Sequence, residues 1–383
     1  MKSLINVPFL GNPMEIDAED LVRPRMFTVF FGLFIILGVA SNFLMDDLGH
    51  GFSGYFLLYV ALSLFLYYLG TRFVLRVPNR ILVPIFVAVA LAMSLREFGL
   101  YAVAMVAIIL LISLKWEILM ERCELVSLLG VALVLLNLLL LGVLPISEAG
   151  ARFGSQTALM LFGYAFSIIG INFLFYKDPR KGLMLGAIVF IAMALYGFRS
   201  YLLIFASSIC VQSIMLKRIR MGRIVGIAMI ALVLIIFGGS FIVGQLEQEW
   251  HLSAFNMFFY RIGFTTHMLD LSCRAAGLFG VFHGEIWTLP STSPLIGQYL
   301  VGGGNITTTI LGPLVLDGGI FELPIMAFIG ASLNSLYESS KRFTSHVPIY
   351  AIFFSILLIS IEISPIPIFI FALLLALMIS NAP

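Results

Sequence analysis

Apolar residues in this chain run in long blocks, and the polar positions are gathered between the blocks rather than interleaved at the spacing of an amphipathic helix or strand. Twelve apolar runs stand out, at about 26–45, 54–70, 81–95, 99–114, 125–145, 157–176, 183–198, 201–216, 224–243, 308–338, 347–363 and 366–381. A helix that crosses a bilayer needs about 20 mostly apolar residues. Several runs are shorter, and the last two are separated by little more than Pro365 and Pro367, so the pattern predicts an all-α, polytopic membrane protein with ten to twelve transmembrane helices. Four segments follow: an N-terminal stretch 1–25, spans one to nine at 26–243, a long connection at 244–307, and the last spans at 308–383. The first 20 residues carry Glu15, Asp17, Glu19 and Asp20 and lack a basic start, so a signal peptide is not expected and the first span must insert the chain.

Composition agrees and narrows the field. Hydrophobic residues make up 61% of the 383 positions and charged ones 11%, against about 25% charged in an ordinary soluble domain. The 22 basic residues are spread too thinly for a nucleic-acid footprint. Cys123, Cys210 and Cys273 offer neither a paired framework nor metal-ligand spacing. The first nine spans hold no ionisable residue near their centres, where an ion-coupled pump would need one.

The Lys and Arg bias sets the orientation. With the N-terminus in the cytoplasm, 17 of the 22 basic residues fall inside, clustered at Lys2 to Arg25, Arg72 to Arg80, Lys115 to Arg122, Lys177 to Lys181, Lys217 to Arg223 and Lys341 to Arg342. The C-terminus is then cytoplasmic as well. Five basic residues remain outside, Arg96, Arg152, Arg199, Arg261 and Arg274, and none is a lysine. Guanidinium holds phosphate oxygens in a two-pronged geometry that ammonium does not match.

The outer connections are short except for the one from about Gly244 to Thr307, which holds three of the five histidines, His251, His267 and His283. Three constellations could carry chemistry. The hairpin Tyr196-Gly-Phe-Arg-Ser-Tyr201 sets Arg199 and Ser200 at headgroup depth, as a phosphate contact or as a snorkelling anchor. The stretch from Tyr260 to Arg274, if helical, puts His267, Asp270 and Arg274 on one face and Arg261, Thr265 and Ser272 on another. A histidine beside a carboxylate can act as a general base, although an ordinary Asp270–Arg274 ion pair is the plainer reading. The third is Gly302-Gly-Gly-Asn-Ile-Thr-Thr-Thr, leading to Asp317-Gly-Gly and Glu322. Its glycines, with Thr308 and Thr309, expose groups suited to anions, or merely form a loop before a capped helix.

The order GFRSYLL, YRIGFTTHMLD and TTTILGPLVLDGG, over about residues 190 to 335, resembles the oligosaccharide repeat unit polymerases, the Wzy-type O-antigen polymerase group. After the aspartate that group tends to continue Phe-Gly, whereas Gly318 stands here. The resemblance implies a GT-C-like membrane glycosyltransferase in the cytoplasmic membrane that works on its outer face without a metal or other cofactor. It would transfer a growing glycan from polyprenyl pyrophosphate to the terminal hydroxyl of a new lipid-linked repeat. Arg199 and Arg261, with Arg274 third, would hold the pyrophosphate leaving group; Ser200, Thr265, Thr308 and Thr309 would line the substrate; His267, Asp270, Asp317 and Glu285 are the groups able to act as base. The expected partners are the lipid-linked donor and acceptor and membrane lipids, with a chain-length regulator or a flippase beside them, and no nucleic acid. An O-antigen ligase, which differs in its acceptor, and a transporter for lipid-linked sugars are the competing readings.

Overall fold

The computed structural model describes residues 18–45, 51–98, 115–146, 154–218, 253–289, 291–366 and 368–381, with isolated positions between 103 and 110 and at 226. Among them every regular element is helical. The helices of eight residues or more are α1 (Met26–Leu44), α2 (Gly54–Gly70), α3 (Asn79–Phe98), α4 (Cys123–Leu141), α5 (Ala158–Lys177), α6 (Pro179–Tyr196), α7 (Arg199–Met215), α8 (Ala254–Ala276), α9 (Ser293–Val301), α10 (Leu311–Gly318), α11 (Leu323–Arg342), α12 (Val347–Ile359) and α13 (Ile368–Ser380). The expected spans at 99–114 and 224–243 fall almost wholly outside the described residues. Five described stretches are long and apolar enough to cross a membrane, and five more apolar helices are shorter. The protein is a polytopic, all-α membrane protein. One expected span is broken: the run 308–338 becomes α10 and α11, joined by the tight turn Gly319–Glu322.

The chain forms two compact units. The first is built from residues 1–26, 117–258 and 343–355. Its α4 and α5 approach closely because small residues face each other: a Cβ on Gly130 would lie 2.4 Å from the Ser167 nitrogen, and one on Gly170 would lie 2.6 Å from the Ser127 nitrogen. Between apolar helices in lipid, such close packing takes the place of the hydrophobic drive that water supplies. The buried Asn137 joins three segments of this unit: its amide donates to the Tyr196 hydroxyl (2.8 Å) and the Ser155 carbonyl (3.3 Å), and its oxygen accepts from Thr157 (2.6 Å).

The second unit is built from residues 27–116, 259–342 and 356–383. Here α2 and α11 touch backbone to backbone, since a Cβ on Gly70 would lie 2.1 Å from the Ala327 carbonyl oxygen and one on Gly330 would lie 2.3 Å from that of Tyr67. Helix α8 packs on α1, where Gly38 makes room for Thr266 and the Asn42 amide donates to the Gly263 carbonyl at 2.8 Å. Large apolar side chains such as Leu33, Ile36, Leu57, Leu125 and Leu139 stay exposed, while Asn42, Ser63, Asn137 and Asn172 are buried. The core itself is mostly apolar, and the exposed apolar surface is what a lipid solvent accepts.

In the second unit, Leu75 N donates to Ser335 Oγ, Asn79 to the Met378 carbonyl and Asn381 to the Val77 carbonyl, all among segments read as cytoplasmic. At the opposite end of that unit Ser53 meets Asp270, Arg261 meets Glu362, and Ile310 N donates to the Ser360 carbonyl. In the first unit Lys181 pairs with Glu124 at 3.2 Å and Tyr176 bonds Thr344 at 2.9 Å, again among segments read as cytoplasmic.

Candidate functional site

Helix α8 is 23 residues long but too polar to count among the membrane-crossing helices. As expected for a helical stretch, it carries Arg261, Thr265, His267, Asp270 and Arg274. The helix sets His267, Asp270 and Arg274 on one face and Arg261, Thr265 and Ser272 on another, as expected, and each face mixes depths: Thr265, Ser272 and Asp270 are buried, while Arg261 and Arg274 are half exposed.

Both oxygens of Asp270 are occupied. Its Oδ1 accepts from the backbone nitrogen and the hydroxyl of Ser53 (2.9 and 2.7 Å), and its Oδ2 accepts from Arg274 Nε at 2.7 Å. Arg274 Nη2 also donates to the Gly51 carbonyl at 2.6 Å. Ser53 is the N-cap of α2, its hydroxyl accepting from Phe56 N at 3.1 Å. Asp270 therefore ties α8 to the start of α2, and the plain Asp270–Arg274 ion pair is present.

One turn before it stands His267, partly exposed, with a buried Nδ1 that makes no hydrogen bond among the described residues. Burial holds its imidazole below the ordinary range; Asp270 pulls the other way, and Arg274 adds to the lowering. A neutral ring can accept a proton, and because Nδ1 is buried that role falls to Nε2. Two turns before His267, Arg261 donates from Nε to Glu362 Oε1.

The remaining carboxylates gather at the α10–α11 turn. Asp317 is buried, and its Oδ1 accepts from Gly284 N at 2.8 Å and Ile286 N at 3.5 Å. Trp287 Nε1 points to Glu322 Oε1 at 3.4 Å. The loop from Leu278 to Gly284 is laced to this turn by its backbone: Val281 N and Phe282 N donate to the Leu316 carbonyl, His283 N to that of Asp317, and Ile320 N to that of Leu278. Gly280, at φ +73°, lies so close that a Cβ would sit 2.2 Å from the Asp317 carbonyl oxygen. Crowding here explains why small residues, Gly318 and Gly319, follow Asp317. Glu285 opens the short turn Glu285–Thr288 and is exposed.

Thr308 and Thr309 are buried and serve their own backbone, with Thr308 Oγ1 donating to the Thr309 carbonyl and Thr309 Oγ1 accepting from Leu311 N at the start of α10. The glycines Gly302 to Gly304 take positive φ and end α9, with Gly302 N and Gly303 N donating back to the Gln298 and Gly297 carbonyls. They terminate one helix rather than open the next.

Arg199 and Ser200 belong to the first unit, at the first turn of α7, and both are partly exposed. The preceding Gly197 caps α6 in the left-handed region, and Ile146 N donates to the Leu195 carbonyl, which fixes the hairpin. Arg152 and His251 lie outside the described residues, as does the side chain of Arg96. Three groups escaped the sequence reading of the site. Ser53 carried a signal, a serine directly before an apolar run. Glu362 carried one too, as a carboxylate at the outer end of the apolar run 347–363, but no sign of its partner, which lies 101 residues away; Trp287 carried none, its partner lying 35 residues away.

A family model described as "Putative O-antigen polymerase" matches residues 20–374. The chain is 25% identical over 236 residues to an uncharacterized protein of Methanocaldococcus jannaschii, a match that covers 61% of this chain and 57% of that protein. The chain thus spans little more than half the length of that relative. No solved structure matches.

Proposed function

The chain belongs to the O-antigen polymerase family, and from that premise we propose that it is a glycosyltransferase that polymerises lipid-linked oligosaccharide repeats on the outer face of the cytoplasmic membrane. The donor is a glycan on polyprenyl pyrophosphate. The bond between its anomeric carbon and the pyrophosphate oxygen breaks, a glycosidic bond to the acceptor hydroxyl forms, and the hydroxyl proton leaves to a base. The negative charge left on the pyrophosphate needs fixed cations, which here are arginines rather than a metal ion.

The observation that carries the reading is α8, which bears a half-exposed Arg261 and a partly exposed His267 whose imidazole burial holds below its ordinary range. His267 takes the acceptor proton, and Arg261 holds the leaving pyrophosphate. In the first unit, the partly exposed Arg199 at the hairpin, with Ser200 beside it, offers a guanidinium suited to phosphate. Asp270 shapes the site, since both its oxygens are engaged, and Asp317 is buried with its Oδ1 held by the backbone nitrogens of Gly284 and Ile286. Arg274 has Nε engaged by Asp270 and Nη2 by the Gly51 carbonyl, which leaves it the weaker of the phosphate ligands. Thr265, Thr308 and Thr309 act from beneath the surface by packing. Glu285 remains an exposed carboxylate at the margin.

In cells carrying Arg261→Ala or Arg199→Ala, long surface glycans should vanish while single repeats persist. Normal chain lengths in both strains would refute the reading. A ligase would leave the same arginines essential but would make no polymer from repeats alone.

A further inference from the structure

Glu362, paired with Arg261, is the residue of this region that the proposed chemistry leaves unused. The two residues are 101 positions apart, and both side chains are partly exposed, at 42% and 34%. An ion pair in that setting contributes little to stability. Its backbone supports are nevertheless firm. Two residues beyond Arg261, the Gly263 carbonyl accepts from the buried Asn42 at 2.8 Å. Two residues before Glu362, the Ser360 carbonyl accepts from Ile310 N at 2.8 Å, and Glu362 N closes its own turn on the Ile359 carbonyl at 3.0 Å. The contact itself is made by Nε alone, and the terminal nitrogens of Arg261 make no hydrogen bond among the described residues. A guanidinium has two edges, and a carboxylate on the Nε side fixes the plane and turns the remaining donors away from it.

We infer that Glu362 is a positioning residue: it holds Arg261 by Nε so that the Nη1 and Nη2 donors face a pyrophosphate. This rests on the proposed role of Arg261 as a pyrophosphate ligand. A simple charge argument predicts the reverse, because a carboxylate next to an anion site repels the anion and competes for the cation. The two accounts therefore differ in the sign of the effect when Glu362 is removed.

The experiment uses the full-length protein in lipid nanodiscs, with farnesyl pyrophosphate as the probe and repeat-unit elongation as the second readout. Loss of one hydrogen bond to a charged group corresponds to about a tenfold effect. Glu362→Ala should weaken farnesyl pyrophosphate binding by about that factor and lower kcat more than it raises KM. Glu362→Gln keeps an acceptor oxygen without the charge and should recover most of the binding. Arg261→Lys should bind as poorly as Arg261→Ala, since one ammonium engaged by Glu362 has no second edge to offer. Protection of the buried Cys273 from maleimide at the wild-type rate shows that each variant is folded around α8. Tighter binding in Glu362→Ala and Glu362→Gln, or unchanged binding in Glu362→Ala, would overturn the inference, as would an Arg261→Lys protein that binds like wild type. If Arg261→Ala itself binds normally, the fault lies with the role given to Arg261 and not with Glu362 alone.

Discussion

Replacing Asp270 by alanine should loosen α8 without unfolding the rest of the protein. Asp270 is fully buried and accepts two hydrogen bonds from Ser53 and one from Arg274. Hydrogen bonds to a charged acceptor contribute about 1.5–3 kcal/mol each. The Arg274 side chain is 50% exposed, so that pair is discounted to about 0.5–1 kcal/mol for screening. Relief of the buried carboxylate's desolvation offsets part of the total. The net cost is about 3 kcal/mol, or roughly a 150-fold rise in the population of the opened helix. Cys273 lies three residues on, is fully buried, and has its thiol pushed well above the usual range by burial and then by Asp270. Its rate of reaction with N-ethylmaleimide, followed by mass spectrometry, reports that opening. Cys123, buried in the other unit, is the internal control. Because losing the Asp270 charge also makes the thiol more acidic, Ser53→Ala is the cleaner companion. It keeps the charge, removes the α2 cap and one hydroxyl bond, and should cost about 1 kcal/mol, near fivefold in rate. An unchanged Cys273 rate in Asp270→Ala, or a parallel rise at Cys123, would refute the anchoring role.

Three further outcomes follow from the geometry. The His267 imidazole is held below its ordinary range and must be neutral to accept a proton, so kcat/KM should rise with pH through a value under 6.5 and then level off; His267→Gln should lose that limb together with most of the rate. Gly280→Ala should cripple folding by more than about 3 kcal/mol, from the positive φ and the clash with the Asp317 carbonyl, whereas Gly277→Ala, at positive φ but in open space, should cost about 1–2 kcal/mol. Detergent-stable yield on size exclusion separates the two. Gly330→Val should part α11 from α2 and lower the unfolding temperature, because its Cβ meets the Tyr67 carbonyl at 2.3 Å; Gly32→Val on α1, with nothing within 4 Å, should leave it unchanged.

The spans were legible because lipid imposes one simple demand on a helix, a long apolar run. Met26–Leu44 and Gly54–Gly70 begin and end within a residue of the expected runs. The break between α10 and α11 was not, since Asp317-Gly-Gly within a long apolar run allows a turn without requiring one, and the turn is held by backbone contacts with a loop some 36 residues earlier. The helical character of α8 and its Asp270–Arg274 pair could be read from spacing alone, because both are local. What the spacing could not give was depth. Asp270, Thr308 and Thr309 looked like surface chemistry and are buried, because their partners, Ser53 and the α10 backbone, are set by tertiary packing. Glu362 is the converse case, a carboxylate whose meaning appears only when Arg261 is placed against it.

The most direct test of the account is to incubate the purified full-length protein with a lipid-linked repeat unit as its sole substrate. Products two, three and more repeats long, formed by wild type and lost in Arg261→Ala, are predicted. No elongation until a different acceptor is added, or elongation undiminished in Arg261→Ala, would contradict it.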